Sequence, residues 1–319
     1  MRNNMRYLRS TLVLACLVIS TFGCSGGSGE GGAQSKNIRI DGSSTVFPVS
    51  EKASEEYRKE NPDIRISVSQ SGTSAGFSKF VKGETDISDA SRPIKDSEVE
   101  EAKGNGIEII EFVVAQDGLA VVANPGNDWC DSLTVEQLKS IWRPEAKGTV
   151  MTWKDVNPEW PEEPLKLYGP GTASGTFEYF TKVINGEKKA SRPDYTPSEN
   201  DNILVEGVKN EKGGLGYFGY AYYAENQESL KLIGVDAGEG PVKPTEASVK
   251  DGSYKPLARP IYIYVSKKSL ERPEVAKFVK FYVENTADFA VAKQYVAPSQ
   301  ESLAKNAELL KTEVEPNIK

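Results

Sequence analysis

Histidine is missing from all 319 residues, and that absence removes several chemistries at once. A Ser-His-Asp triad cannot be built without it. With a single cysteine, Cys130, left outside the N-terminal segment, a zinc site is not expected either. Basic charge is in short supply: 39 Lys and Arg against 46 Asp and Glu give a net charge of −7. Nucleic acid is therefore not an expected partner, because binding its phosphate backbone needs a basic footprint. No Gly-Lys-Ser/Thr phosphate loop is present, which argues against an ATPase. Ser174 sits in a Gly/Ser-rich turn, but its flanks do not form a Gly-x-Ser-x-Gly elbow. A Ser/Lys arrangement stays open, though no Ser-x-x-Lys stands in a convincing site. The carboxylates are spread like a solvated surface rather than paired as a dyad. An enzyme is not expected, and neither a cofactor nor a metal is implied.

A bilayer-spanning run is absent too. Arg2, Arg6 and Arg9 precede the apolar stretch from Leu12 to Ile19, which is too short to cross a membrane. Residues 1–23 are read as a secretory signal. Thr21-Phe22-Gly23-Cys24 resembles a bacterial lipobox, in which the cysteine is lipidated and becomes the first residue of the mature chain. Gly23 suits the small-residue position, while Thr21 departs from the usual leucine. Ordinary cleavage that leaves a spare cysteine is the alternative. Removing the signal takes away three arginines and makes the remainder more acidic. The Gly/Ser-rich residues 24–36 have the composition of a flexible tether. If Cys24 is lipidated no intrachain disulfide remains, and Cys130 reads as a small buried residue.

The chain as a whole is globular in composition, with 38% hydrophobic and 27% charged residues, and it is long enough for two domains. Ile38 and Ile40 predict a short strand, and Val49, Ala53 and Tyr57 one face of a helix that stops at Asn61-Pro62. Ile64, Ile66 and Val68 alternate as a strand, and Phe77, Phe80 and Val81 continue as a helix ended by Gly83. Ser97 and Glu100 have the spacing of a capping box, as do Thr134 and Gln137. The stretch from Ile107 to Val122 is long and extended, a crossover out of the first domain. Leu165 to Tyr168 reads as a strand, Phe177 to Asn185 as a helix, and Arg259 to Val265 as the strand that returns. The succession argues for an α/β fold with a mostly parallel sheet.

Three Ser/Thr/Gly-rich turns run straight into amphipathic segments: Gly42-Ser43-Ser44-Thr45, Ser71-Gly72-Thr73-Ser74 and Gly171-Thr172-Ala173-Ser174-Gly175-Thr176. A helix N-terminus offers unpaired N–H groups and the positive end of the macrodipole. Hydroxyls add donors, and glycine lets a ligand approach the backbone. One such turn is ordinary capping. Three of them, two directly after strands, point to a small oxyanion held between two lobes.

Together with Val46-Phe47-Pro48, Ala90-Ser91-Arg92-Pro93 and Phe177, these turns resemble the phosphate-binding protein of the bacterial high-affinity phosphate ABC importer. The run from Leu215 to Tyr223, Leu-Gly-Tyr-Phe-Gly-Tyr-Ala-Tyr-Tyr, resembles its cyanobacterial-type branch. The resemblance implies an α/β, two-lobed periplasmic-binding-protein fold of type II, with the ligand in the interlobe cleft. Lobe 1 is expected over 37–115 and 259–319, lobe 2 over 116–258. Implied phosphate ligands are Ser44, Thr45, Thr73, Ser174, Gly175 and Thr176. Ser91 stands where the family places a proton-accepting aspartate. Pro170 stands where better-known members carry an arginine, so Arg92 is the expected cation, with Lys79 and Arg259 as alternatives. Asp86, Asp89 and Glu178 are the other proton-acceptor candidates. The implied partners are inorganic phosphate and a membrane permease. A lipid-anchored monomer in the periplasm or at the cell surface is expected. A surface phosphate sensor or adhesion protein, and a binder of another oxyanion such as sulfate, are the alternatives.

Overall fold

The computed structural model describes residues 36–318. The signal segment 1–23, Cys24 and the tether up to residue 35 lie outside the described residues. Strand β1 (Asn37–Gly42) buries Ile38 and Ile40, and β2 (Arg65–Ser69) buries Ile66. Between them α1 (Phe47–Glu60) buries Val49, Ala53 and Tyr57, with Pro48 in the first turn, where no intrahelical N–H is needed. Helix α2 (Thr73–Phe80), β3 (Ile87–Ala90) and α3 (Asp96–Gly104) follow. Helix α3 starts two residues earlier than the Ser97/Glu100 spacing predicts. Lys95 occupies the cap position, and its backbone N–H donates to Glu98 Oε2 at 2.9 Å. Arg92 holds the Glu98 carboxylate with both terminal nitrogens, at 2.7 and 2.8 Å, which places it over this turn.

Strands β4 (Ile109–Ala123), β5 (Lys166–Pro170), β6 (Thr196–Ser198), β7 (Gly214–Gly219), β8 (Lys231–Leu232) and β9 (Ala258–Ser266) complete a nine-stranded sheet among the described residues. The order is β2-β1-β3-β9-β4-β7-β5-β6, with β8 also paired to β4. The sheet is mixed rather than mostly parallel. β1 runs parallel to β2 and β3, and β5 runs parallel to β6 and β7. β9 is antiparallel to β3 and β4, and β4 is antiparallel to β7 and β8. The reason is topological: β4 carries the chain out of the first half and β9 brings it back. Residues Ile109–Gly118 of β4 pair with β9, and Leu119–Ala123 pair with β7, so one strand serves both halves.

The apolar clusters follow this division. Ile38, Val49, Phe112, Ile263, Val279 and Tyr282 pack in one, and Leu119, Trp142, Trp153, Leu215, Tyr217 and Tyr254 in another. Full burial of a large apolar side chain contributes about 1.5–3 kcal/mol, so each cluster is a core in its own right. Helix α4 (Gly175–Phe180) is pinned to the second core by Phe180, which stacks on Tyr217 with ring centroids 3.8 Å apart. It loosens into a wider turn at Thr181–Asn185, where Thr181 Oγ1 donates to the Phe177 carbonyl at 2.8 Å. Helices α5 (Asp201–Asn210) and α6 (Pro273–Glu284) cover the second and first halves. Cys130 is buried, and burial pushes its thiol up to about 12.

Candidate site in the interlobe cleft

All three turns meet. Gly42, at φ 148°, ends β1, and a Cβ there would lie 2.1 Å from the Asp89 carbonyl oxygen, so only glycine fits. The Gly72 N–H donates to the Gly42 carbonyl at 2.7 Å, which ties turn two to turn one. Turn two then faces turn three, the Ser74 N–H donating to the Ala173 carbonyl at 2.8 Å. Thr45 Oγ1 and Thr176 Oγ1 are 2.9 Å apart, joining turns one and three. Thr73 Oγ1 lies 3.2 Å from Ser91 Oγ. A Cβ added to Gly175 would come within 2.6 Å of both those oxygens. Ser44 donates to Asp201 at 3.3 Å. Ser174 is the cap of α4, its Oγ accepting from the Thr176 and Phe177 N–H groups at 3.0 and 3.3 Å.

The structure thus brings Thr45, Thr73, Ser91, Gly175 and Thr176 into one buried cluster, with Ser44 and Ser174 bordering it. Arg92 stands apart from them. It is buried over the Phe77 ring and is held by Glu98, by Ser74 Oγ at 3.1 Å and by Glu178 at 3.1 Å from Nε. The guanidinium that reaches the cluster is Arg259, the fallback in the sequence pattern. Its Nη2 donates to Thr176 Oγ1 at 2.7 Å and its Nη1 to the Gly175 carbonyl at 3.3 Å. Arg259 and Asp117 stand directly opposite in the β9–β4 register, and Nη2 lies 3.2 Å from Asp117 Oδ2. Lys79 instead pairs with Asp41, the β1 residue that also accepts the Ser71 N–H at 3.0 Å.

The carboxylates separate in the same way. Asp86 binds the Arg39 N–H, Ser269 and Arg272; Asp89 accepts from Ser50 beneath α1; Glu178 is enclosed by cations. Two acids that the sequence pattern does not single out border the cluster. Burial pushes up the Asp117 carboxyl, against the pull of Arg259. Burial also raises Asp201 to about 7, against the Ser44 hydrogen bond. The signal for Asp117 was the extended Ile107 to Val122 run, in which a charged residue is out of place. A cavity of about 580 Å³ opens beside the cluster, lined by Ser91, Arg92, Lys95, Glu178, Tyr179 and Arg259 among others.

Geometry of this kind, donor-rich turns and one buried guanidinium between two α/β halves, defines a two-lobed solute-binding protein. Residues 27–286 match the family model of the PBP superfamily domain. Over 298 residues the chain is 42% identical to the protein SphX of Synechocystis, covering 93% of this chain and 87% of that one. It is 40% identical to the phosphate-binding protein PstS of Staphylococcus saprophyticus, over 90% of this chain and 88% of that one. A solved structure of a possible phosphate-binding protein from Planctomyces limnophilus superposes with TM-score 0.63 at 45% identity, covering 89% and 99% of the two chains. A candidate phosphate ABC transporter substrate-binding protein from Clostridium perfringens, solved with bound phosphate, gives TM-score 0.68 at 25% identity, covering 82% and 100%. The chain belongs to the PBP superfamily and, within it, to the group that holds SphX and PstS.

Proposed function

We propose that the protein binds inorganic phosphate in the cleft between its lobes, outside the cytoplasm, and delivers it to the permease of an ABC importer. The observation that carries this reading is the convergence of three hydroxyl-rich turns on one buried guanidinium that still donates toward them. The names of the relatives and of the phosphate-bound structural neighbour support it. Ser44, Thr45, Thr73, Ser91, Ser174, Gly175 and Thr176 supply hydroxyl and backbone N–H donors. Arg259, rather than Arg92, supplies the fork, since a planar guanidinium matches two phosphate oxygens at once. The lobes are taken as 37–115 with 259–319 and 116–258, a division supported by the change of partner along β4 and by the return of the chain at β9. Lipidation at Cys24, anchoring the chain by its tether, and a monomeric state complete the proposal.

Selection between oxyanions rests on a proton. Phosphate near neutral pH carries one and sulfate does not, so an ionised carboxylate in the site accepts from the first and repels the second. Asp201 takes that role, because Asp117 is engaged with Arg259. Calorimetric titration at pH 8 with phosphate and with sulfate tests both statements. The expected result is tight binding of phosphate alone in the wild type and a narrowed preference in Asp201→Asn. Equal binding of the two anions by the wild type would refute the assignment to phosphate.

A further inference from the structure

Glu178 is the most heavily paired carboxylate beside the cleft, and phosphate recognition as proposed above gives it no task. It lies one turn beyond Ser174 on α4 and is 1% exposed. Lys95 Nζ straddles its two oxygens at 2.9 and 2.8 Å. Ser74 Oγ donates to Oε1 at 2.9 Å, and Arg92 Nε lies 3.1 Å from Oε2. All three partners belong to the first half of the fold, on or beside α2 and α3, whereas Glu178 belongs to the second. On its own side Lys189 reaches Oε1 at 3.2 Å. That lysine has φ 64°, an unfavourable conformation for a non-glycine residue, and its N–H donates to Thr181 Oγ1 at 2.8 Å. Glu98 fixes the Arg92 plane from behind, so the nitrogen left over faces Glu178.

We infer that Glu178 is an interlobe clasp: a positioning residue that locks α4 against the first lobe and sets how slowly phosphate escapes. Its place on α4 couples it to the ligand. The turn that carries Ser174, Gly175 and Thr176 is the start of the same short helix, so seating the turn on the anion and seating the carboxylate among its cations are one movement. The clasp makes no contact with the Thr45, Thr73 and Thr176 hydroxyls, so it does not choose the anion. It holds the two lobes together with or without the anion, and its effect on binding is read on release. Truncating one member of a desolvated, hydrogen-bonded charge set changes dissociation more than association. The inference rests on the phosphate reading for its kinetics and stands apart from it for its mechanics.

The test uses the full chain as wild type, Glu178→Gln and Lys95→Ala. Stopped-flow phosphate binding should show dissociation about ten- to a hundredfold faster in Glu178→Gln. Association should stay within about threefold and the phosphate-to-sulfate ratio should be unchanged. Lys95→Ala removes a half-exposed partner and should shift dissociation in the same direction by less. Small-angle scattering of the ligand-free proteins should show a larger radius of gyration in Glu178→Gln than in the wild type. A wild-type dissociation rate in folded Glu178→Gln overturns the clasp, as does an altered anion preference. If the wild type itself ignores phosphate, the function proposed above fails, and the scattering comparison alone decides: equal radii overturn the clasp.

Discussion

Two arginines line the same cavity, and they make opposite use of the same chemistry. Arg259 and Arg92 are 4% and 5% exposed, and each lies over an aromatic ring, at 5.0 Å from Tyr179 and 5.1 Å from Phe77. Arg259 faces one carboxylate, Asp117, and spends its remaining donors on Thr176 and Gly175 in the third turn. Arg92 faces two, Glu98 and Glu178, and a hydroxyl. Every nitrogen of Arg92 is already committed, Nη1 to the Pro93 carbonyl and Glu98, Nη2 to Glu98 and Ser74, and Nε to Glu178, so it has no donor left to offer an incoming anion. What differs between the two is where their donors are committed, rather than their burial or their distance from a motif.

The largest effect belongs to Arg259→Ala. It removes the fork and strands the buried Asp117 carboxylate, which should cost about 3–5 kcal/mol of stability. Phosphate affinity should fall at least about a thousandfold in calorimetry, a loss of roughly 4 kcal/mol. Thermal unfolding of Arg259→Ala/Asp117→Asn should recover most of the stability while binding stays lost, and recovery of both would break the comparison. Gly175→Ala comes next. The new Cβ meets Ser91 and Thr73 on the opposite lobe at 2.6 Å, an overpacking worth about 1–3 kcal/mol that should act mainly against ligand binding. Arg92→Ala should weaken phosphate only about tenfold, through the loss of its pairing with Glu178. A loss in Arg92→Ala as deep as in Arg259→Ala would show that the two arginines share the ligand.

The smallest effects are in pH, and here Asp201 and Glu178 carry opposite signs. Burial raises Asp201 to about 7 from an ordinary 3.8, so its neutral form favours the fold. That contribution is full below 3.8 and is lost as pH rises to about 7. Glu178 is pushed up by burial, but the Lys95 hydrogen bond, the Arg92 charge and the Ser74 hydroxyl outweigh this and hold it below 4.5. Its contribution is present above 4.5 and is lost as pH falls below that value. Melting curves of the ligand-free protein should therefore show Asp201→Asn flattening the slope between pH 4 and 7. Glu178→Gln should flatten it on the acid side only. The same slope in both variants would erase the distinction.

Much of this was legible in residue order. Strand and helix periods located β1, α1, β2 and α2, and Ser/Thr/Gly chemistry located the three turns that the fold then brings together. The Thr134/Gln137 cap is present with both hydrogen bonds, whereas the Ser97/Glu100 spacing yields to Lys95 and Glu98. Charge pairing was not legible. Arg259 and Asp117 are 142 residues apart and become neighbours only through the antiparallel register of β4 and β9. Arg92, next to a motif, stood out in sequence because its neutralising acids are hidden in a helix, as Glu98 is, or far along the chain, as Glu178 is. Local chemistry declares itself along the chain, whereas the charge balance of a cleft depends on which strands lie side by side.

Strand β9 has one more consequence, and it concerns the order of events as the chain is made. β3 and β4 do not pair with each other; β9 lies between them and pairs with both. The sheet therefore keeps a gap between β3 and β4 until residues 258–266 arrive, after β5 to β8 have been synthesised. An N-terminal portion that ends between Ala123 and Ala258 holds β3 and β4 without the strand that joins them, and lacks the core residues from Ile261 to Val314. The strands from Leu119 to Leu232 that pair with one another, the end of β4 with β7 and β8 and β5 with β6 and β7, are complete before β9 is made. Completion of the fold is thus tied to roughly the last fifth of the polypeptide, and a chain still being extruded lacks both the strand that joins β3 to β4 and the Arg259 that this strand carries.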